Sequence, residues 1–211
     1  MPPYDLAIFD FDGTLADSFP WFCSVLNQTA KKFNFRQVGE DEVDALRDLD
    51  AASVITFLGV PTWKVPLVAT HLRKLSAANA ASIQLHPGAS EALAALHAAG
   101  VTIAIVSSNA EPTIRAVLGS SGNLVATYAC GASLWGKPAK FRSVLKSLGI
   151  PASRTIAIGD EVRDIKAARA IPLAAGAVAF GFNTPAALKA SAPDEFFASF
   201  SELTARLTAR A

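Results

Sequence analysis

Short apolar runs recur along the chain, and most of them alternate with stretches that have the residue spacing of helices. The runs are apolar throughout instead of alternating with polar residues, which is typical of strands buried on both faces of a parallel sheet. Parallel strands require crossover connections, which helices usually supply. The predicted strands are "LAIF" (6–9), "VTIAIV" (101–106), "LVATYAC" (124–130), "TIAIG" (155–159) and "AAGAVAF" (174–180).

Helical segments lie between the later strands, and several of them end at a glycine, a common helix stop. Alternation of strands and helices is typical of an α/β protein, so the sequence predicts a doubly wound parallel sheet. The predicted helices cover residues 89–100, 111–122, 139–149 and 162–170.

Residues 18–85, called the helical insertion from here on, interrupt this alternation. They contain three or four helical patterns and no convincing strand, and "HPG" at 86–88 marks the return to the alternating pattern. The simplest interpretation is an all-helical insertion after the first strand. Residues 1–17 and 86–211 would then form an α/β core, and the helical insertion would form a cap.

Composition narrows the class of protein. The 211 residues are 51% hydrophobic and 18% charged, which indicates a compact globular chain long enough for one well-buried domain. The formal net charge of +1 gives no electrostatic reason to expect nucleic acid or an acidic membrane as a partner.

Cysteine usage and the N-terminus bear on the cellular compartment. Cys23 and Cys130 are far apart and outside any CxxC pattern, so we expect buried free thiols in a reducing compartment. The chain opens with no basic region followed by a long apolar stretch, which argues against a secretory signal. The most apolar segment, 173–182, is about half the length that a membrane helix needs. We therefore expect a soluble cytoplasmic protein.

Polar side chains follow the predicted strands at the point where each strand ends. Ligands of open parallel sheets bind at the carboxyl ends of the strands, so we expect these side chains to converge on one edge. They are Asp10, Asp12 and Thr14 after the first strand, Ser107, Ser108 and Asn109 after the second, Lys137 beyond the third, and Asp160, Glu161 and Asp164 after the fourth.

Such a cluster of acidic groups would be unstable without a cation, and hard oxygen ligands suit Mg²⁺. The same residue types fit phosphoryl transfer, because a carboxylate can act as the nucleophile and form an acyl phosphate. A lysine and Mg²⁺ would offset the negative charge of nucleophile and phosphate. A second carboxylate could protonate the leaving oxygen and then activate water.

Four segments, in this order, resemble the signature motifs of the haloacid dehalogenase superfamily: "DFDGTL", "VSSN", "GKP" and "GDEVRD". The resemblance spans the α/β part from about residue 4 to the C-terminal region, and the helical insertion falls where this superfamily carries a helical cap. It implies a Rossmann-like core, a hydrolase activity and Mg²⁺ as cofactor.

The resemblance also implies roles for single residues. Asp10 would be the nucleophile that becomes phosphorylated, and Asp12 the general acid/base, with its backbone carbonyl on the metal. Lys137 would bridge Asp10 and the phosphate. Ser107 would bind the phosphoryl group, aided by Ser108 and Asn109.

The metal site and its surroundings follow from the same resemblance. Asp160 would ligate Mg²⁺ directly, and Asp164 directly or through a water, while Thr14 would steady the nucleophile loop. From the residues themselves, we expect Glu161 and Arg163 to lie at the surface or behind the ligands and not to take part directly. The implied metal-binding residues are Asp10, Asp12, Asp160 and Asp164.

Asp12 separates branches of the superfamily, since dehalogenases resemble this pattern but lack the second carboxylate. Within the phosphatases, "GDEVRD" and residues 179–203 look most like the phosphoglycolate-phosphatase-like group. We therefore expect a small phosphorylated metabolite as substrate. The Trp21 and Phe22 rings, which begin the helical insertion, are candidates to contact its leaving group.

Two alternatives stay open at this point. A sugar phosphomutase of the same fold also uses two such aspartates, and a phospho-accepting signalling module combines similar residues on a parallel sheet. Neither the physiological substrate nor the oligomeric state follows from the sequence. The three histidines are too scattered to suggest a site: His71, His86 and His97.

Overall fold

A computed structural model describes residues 2–133 and 136–209 of the chain. Six parallel strands form one sheet within these residues. The strands are β1 (Leu6–Phe9), β2 (Thr102–Val106), β3 (Thr127–Ala129), β4 (Thr155–Gly159), β5 (Ala174–Val178) and β6 (Glu195–Phe197).

The order of the strands across the sheet is β3-β2-β1-β4-β5-β6. The chain moves outward from β1 to β2 and β3, then returns to the other side of β1 with β4. Leu6 of β1 accordingly lies in register with Thr102 on one side and Thr155 on the other. Such a reversal of strand order is where doubly wound sheets bind their ligands.

Helices cover both faces of the sheet, and four more form the helical insertion between β1 and the rest of the sheet. The helices of the insertion are α1 (Phe19–Phe33), α2 (Val43–Arg47), α3 (Ala51–Phe57) and α4 (Val65–Ala78). The others are α5 (Ala89–Ala98), α6 (Glu111–Leu118), α7 (Lys137–Leu148), α8 (Val162–Arg169), α9 (Pro185–Ala190) and α10 (Phe200–Thr208).

Alternate residues of β1 enter two separate hydrophobic cores. Ala7 and Phe9 pack on one face with α5, α6 and α10. Leu6 and Ile8 pack on the other face with α7 and α8. Because all four residues are fully buried, the continuous apolar run that predicted this strand is explained by cover on both faces. The doubly wound α/β class predicted from the sequence is confirmed.

The two connections between the sheet and the helical insertion run side by side. Ala16 and Leu85 form an antiparallel bridge. The Asp17 N–H donates to the Gln84 carbonyl oxygen at 2.9 Å, and the His86 N–H donates to that of Leu15 at 2.9 Å. The two segments that connect the insertion to the α/β core are therefore paired with each other. The insertion's own apolar core is small and centres on Val38, Leu58 and Val60.

Several predicted boundaries are wrong. The third strand is confined to Thr127–Ala129, since Leu124 belongs to a 3₁₀ helix over 119–124 and residues 125, 126 and 130 lie outside the strand. The same 3₁₀ helix ends α6 at Leu118, short of the predicted 122. The last strand, β6, was missed, since its three residues fall below the length that a sequence pattern can reveal.

Other expectations have mixed outcomes. Both cysteines are free but only half-buried, not fully buried as expected. Within the described ranges no single helix is long and apolar enough to cross a membrane. One pair, Ala51–Phe57 with Thr62–Ala78, passes that test only when joined and is bent by 113°. Trp135, in the segment before Lys137, lies outside the described residues.

Candidate active site

A buried lysine joins two of the predicted acidic residues. The Lys137 ammonium donates to Asp10 Oδ2 at 2.5 Å and also to Asp164 Oδ1. All three side chains are at least 95% buried. Asp10 follows β1 directly, Lys137 opens α7 and Asp164 lies in the first turn of α8, so three separate crossovers meet at the carboxyl edge of the sheet. This is the convergence that the strand-end pattern predicts.

Asp160 is held by donors instead of a charged partner. The Thr14 hydroxyl donates to its Oδ1 at 2.6 Å, and the Phe182 N–H donates to its Oδ2 at 2.8 Å. Two glycines make room for this carboxylate, because a Cβ atom at Gly13 or Gly181 would overlap with it. The Thr14 contact supports the predicted role of this residue in steadying the loop.

Three carboxylates lie close enough to share one ion. Asp10, Asp160 and Asp164 are all buried, and each offers an oxygen within 4.8 Å of the others. Lys137 is the cation in contact with this cluster, and the charge of Arg163 is offset by its ion pair with Glu161, so the three carboxylates carry excess negative charge. A compact set of hard oxygen ligands with a charge deficit fits a divalent ion. The site is therefore compatible with metal binding.

The pKa values follow from burial and from Lys137. Burial raises the pKa of Asp10, although Lys137 opposes this, and burial raises the pKa of Asp160 well above its ordinary value. Asp164 differs, because Lys137 and Arg163 outweigh the effect of burial and hold the pKa of its carboxyl below the usual range. Asp160 is thus the carboxylate with the greatest need for a cation.

Asp12 lies beside the acidic cluster and has a different partner. The Asn109 amide donates to Asp12 Oδ2 at 3.1 Å. Asn109 Oδ1 accepts the Ala110 N–H at 2.8 Å, which fixes the NH₂ group toward Asp12 and toward Ser76 of α4, whose Oγ lies 3.1 Å away. Burial and the charge of Asp10 raise the pKa of Asp12 to about 6. A carboxyl with this pKa is suited to exchange protons near neutral pH.

The loop after β2 is fixed at both serines. Ser107 is fully buried, and its Oγ accepts the Asn109 N–H at 3.1 Å. Ser108 is half-buried, and its carbonyl oxygen accepts from Arg73 of α4 at 3.4 Å. The Ala132 N–H donates to the Ser107 carbonyl oxygen at 3.0 Å, which ties this loop to the chain beyond β3. The three predicted phosphate-binding residues of this loop therefore lie at the same edge as Asp10 and Lys137, the fourth.

Glu161 and Arg163 pair with each other beside the cluster. Arg163 Nε lies 2.9 Å from Glu161 Oε1, and both side chains are mostly buried. Lys140, the other lysine near the start of α7, is half-buried and forms no ion pair within the described ranges. The structure thus brings Lys137, and not Lys140, to the acidic residues.

Contacts across long sequence distances were missed from the sequence. Asn183, just after β5, accepts the Val162 N–H at 2.8 Å and donates to the carbonyl oxygens of Arg47 and Leu49 in the helical insertion. Ser76 and Phe182 were missed as well. For Phe182 and Asn183 the sequence did hold a signal, because "GFN" follows the end of a predicted strand. No sequence signal marked Ser76.

The close approach of Gly13 to Asp160 gives a testable expectation. Gly13→Ala should displace Asp160 and lower kcat/KM by roughly a hundredfold. The positive φ of +77° adds a loss of more than about 1 kcal/mol in unfolding free energy. Gly100→Ala is the matched control, since its φ is +85° but no atom lies within 4 Å of the added Cβ. Both variants should have a lower melting temperature, whereas only Gly13→Ala should have a lower kcat/KM. Equal activities would contradict the expectation.

The fold and the site together define a class: a doubly wound α/β protein with a carboxylate-rich candidate active site at the carboxyl edge of its parallel sheet. The chain belongs to the haloacid dehalogenase-like hydrolase family, whose family model matches residues 7–178.

Named relatives refine this assignment. The phosphoglycolate phosphatase of Synechococcus elongatus is 30% identical over 203 residues, covering 95% of this chain and 96% of its own. A haloacid dehalogenase-like hydrolase from Streptococcus pneumoniae superposes with a TM-score of 0.78 at 19% identity, covering 96% and 98% of the two chains. CbbY from Rhodobacter sphaeroides, solved with phosphate, superposes with a TM-score of 0.72 at 22% identity, covering 95% of this chain and 96% of its own. The structural likenesses establish the fold.

These relationships confirm two predictions from the sequence. The chain is a member of the phosphoglycolate-phosphatase-like group of its superfamily. The enzyme class is that of a phosphatase.

Proposed function

We propose that the protein is a Mg²⁺-dependent phosphatase that hydrolyses a small phosphate monoester, such as phosphoglycolate, through a phosphoaspartate on Asp10. The observation that carries this proposal is the buried cluster in which Lys137 contacts both Asp10 and Asp164 beside Asp160. The name of the Synechococcus relative supports phosphoglycolate as one substrate to test.

The proposed reaction has two steps. An Asp10 carboxylate oxygen attacks phosphorus and the bond from phosphorus to the ester oxygen breaks, while Asp12 donates a proton to that oxygen. Asp12 then accepts a proton from the water that attacks the phosphoaspartate, which releases phosphate and restores Asp10. The Lys137 ammonium, already on Asp10, stabilises the charge that develops on the phosphoryl oxygens. Ser107 and the backbone at Ser108 would hold those oxygens.

The metal would be held by the carboxylates of Asp10, Asp160 and Asp164 and by the backbone carbonyl of Asp12. When bound, Mg²⁺ supplies charge neutralisation for nucleophile and phosphate. Residues 18–85 would act as a cap over this edge. Their contacts with it through Ser76, Arg73 and Asn183 support that role.

Metal removal and a substrate panel test this proposal together. We expect EDTA to abolish release of inorganic phosphate from every substrate, and added Mg²⁺ to restore it, because Lys137 alone leaves the carboxylates short of cation. The panel contains phosphoglycolate, sugar phosphates and an aryl phosphate. Full activity in EDTA would contradict metal dependence.

The same assay separates the two alternatives. A phosphomutase would isomerise a sugar phosphate without net release of phosphate. A signalling module would keep the phosphoryl group on Asp10 for minutes or longer. Rapid, repeated release of inorganic phosphate is the outcome that the proposed function requires.

A further inference from the structure

A cavity of about 580 Å³ extends from the candidate active site into the helical insertion. At one end it is lined by Asp12, Ser108 and Asn109. At the other end it reaches Val38, Leu58 and Val60, which form the small apolar core of the insertion. A group attached to a phosphate at the sheet edge would therefore enter the cavity directly.

The wall of the cavity is mostly aliphatic and aromatic, and each of its three arginines contacts at least one protein acceptor. Arg47 donates to the carbonyl oxygens of Gly181 and Phe182, each at 3.0 Å. Arg163 pairs with Glu161, and Arg73 donates to the Ser108 carbonyl oxygen and to Thr70. Apart from these guanidinium groups, which keep further N–H donors, the cavity offers a ligand mainly apolar contact.

One buried donor at the start of the helical insertion lacks an acceptor. Trp21 Nε1 is inaccessible to solvent and has no hydrogen-bond partner among the described residues, and Trp21 lines the cavity. Leaving a buried donor unpaired costs roughly 1–3 kcal/mol, and an apolar group would not supply the missing acceptor. The apolar wall, and not this N–H, therefore indicates the kind of ligand.

The volume of the cavity indicates the size of the leaving group that would fill it. The cavity falls within the range of roughly 300–1,000 Å³ in which proteins bind drug-sized molecules. A two-carbon acid such as glycolate would leave most of this space empty and most of the apolar wall uncovered. Burying methylene groups against such a wall is favourable.

We propose that the cavity binds an apolar leaving group, and that the preferred substrates are phosphate monoesters of long-chain aliphatic or aromatic alcohols. This inference rests on the proposed phosphatase activity and narrows its substrate class. The reaction breaks the bond between phosphorus and the ester oxygen, and water supplies the new oxygen on phosphorus. The products are inorganic phosphate and the free alcohol.

A series of n-alkyl phosphates from ethyl to octyl tests the proposal, with phosphoglycolate as comparator. We expect kcat/KM to rise about fourfold per methylene, the equivalent of about 0.8 kcal/mol of transfer free energy, until the cavity is filled. Octyl phosphate should then be hydrolysed more efficiently than phosphoglycolate. A flat or falling series, or a preference for phosphoglycolate over every alkyl phosphate, would overturn the inference.

A matched pair of variants on α4 shows whether the cavity is responsible. Ala69 is half-buried and lines the cavity, whereas Ala77 is exposed on the same helix. Ala69→Leu should lower kcat/KM for octyl phosphate at least tenfold and leave ethyl phosphate unchanged. Ala77→Leu should leave the whole series unchanged. If Ala69→Leu only raises the melting temperature and the chain-length dependence stays the same, the cavity is a packing defect and the inference is wrong.

Failure of this inference is distinguishable from failure of the proposed function. Hydrolysis of phosphoglycolate or an aryl phosphate without chain-length dependence would overturn the apolar substrate class and leave the phosphatase intact. No release of phosphate from any monoester, by folded protein with Mg²⁺, would overturn both.

Discussion

Asp10→Asn is expected to lower phosphatase turnover by roughly 10⁴-fold or more, because an amide oxygen is a poor nucleophile and cannot form the phosphoaspartate. In the wild-type protein the Phe11 N–H donates to Asp10 Oδ1 at 2.7 Å. Asparagine has nearly the same shape as aspartate and keeps an oxygen that can accept this hydrogen bond. Lys137 also keeps Asp164 as a charged partner. The fold should therefore survive, and the loss should appear in kcat with an aryl phosphate as substrate.

Asp17→Asn is the matched control for this experiment. Asp17 lies in the same connection but is exposed, and it is not part of the buried cluster. Its substitution should change turnover by less than about twofold, as expected for a surface position. If folded Asp10→Asn protein retained turnover near the wild-type rate, Asp10 could not be the nucleophile and the proposed mechanism would be wrong.

Lys137→Met should affect both stability and catalysis. It removes the cation between two buried carboxylates, and breaking a buried ion pair from one side costs about 3–5 kcal/mol. It also removes a group that stabilises developing charge, which should lower kcat by about 10²–10³. Urea unfolding of the metal-free protein measures the first effect, and turnover at saturating Mg²⁺ measures the second.

Lys146→Met is the control for Lys137, because Lys146 lies on the same helix but is exposed. It should leave both the urea midpoint and kcat nearly unchanged. The two measurements also separate two roles of Lys137. Loss of stability with normal turnover would make it a purely structural ion-pair partner, contrary to the proposed mechanism.

The sequence predicted the convergence of the candidate site residues better than the boundaries of the elements. Acidic and polar side chains placed just after apolar runs mark the carboxyl edge of a parallel sheet, and Asp10, Asp160 and Asp164 do converge there. That prediction depends only on where a strand ends and on parallel topology, both of which the apolar runs reveal. Lys137 could be chosen over Lys140 only because it falls in the "GKP" motif.

The remaining contacts depend on the geometry of the folded chain. Nothing local to Ser76 indicates that its hydroxyl meets the Asn109 amide, 33 residues away in the chain. The same holds for Asn183, whose partners in the helical insertion are 134 and 136 residues distant. A short edge strand such as β6 also lacks the pattern length needed for prediction.

The central position of β1 has a consequence for how the enzyme assembles. Its partners in the sheet lie about 100 and 150 residues later in the chain, and Lys137 is 127 residues from Asp10. Contacts of such sequence separation form slowly, since a long loop must close before any of them stabilises the protein. During synthesis, Asp10 therefore leaves the ribosome long before the residues that complete its site. Catalytic competence is acquired late, once β4 has paired with β1.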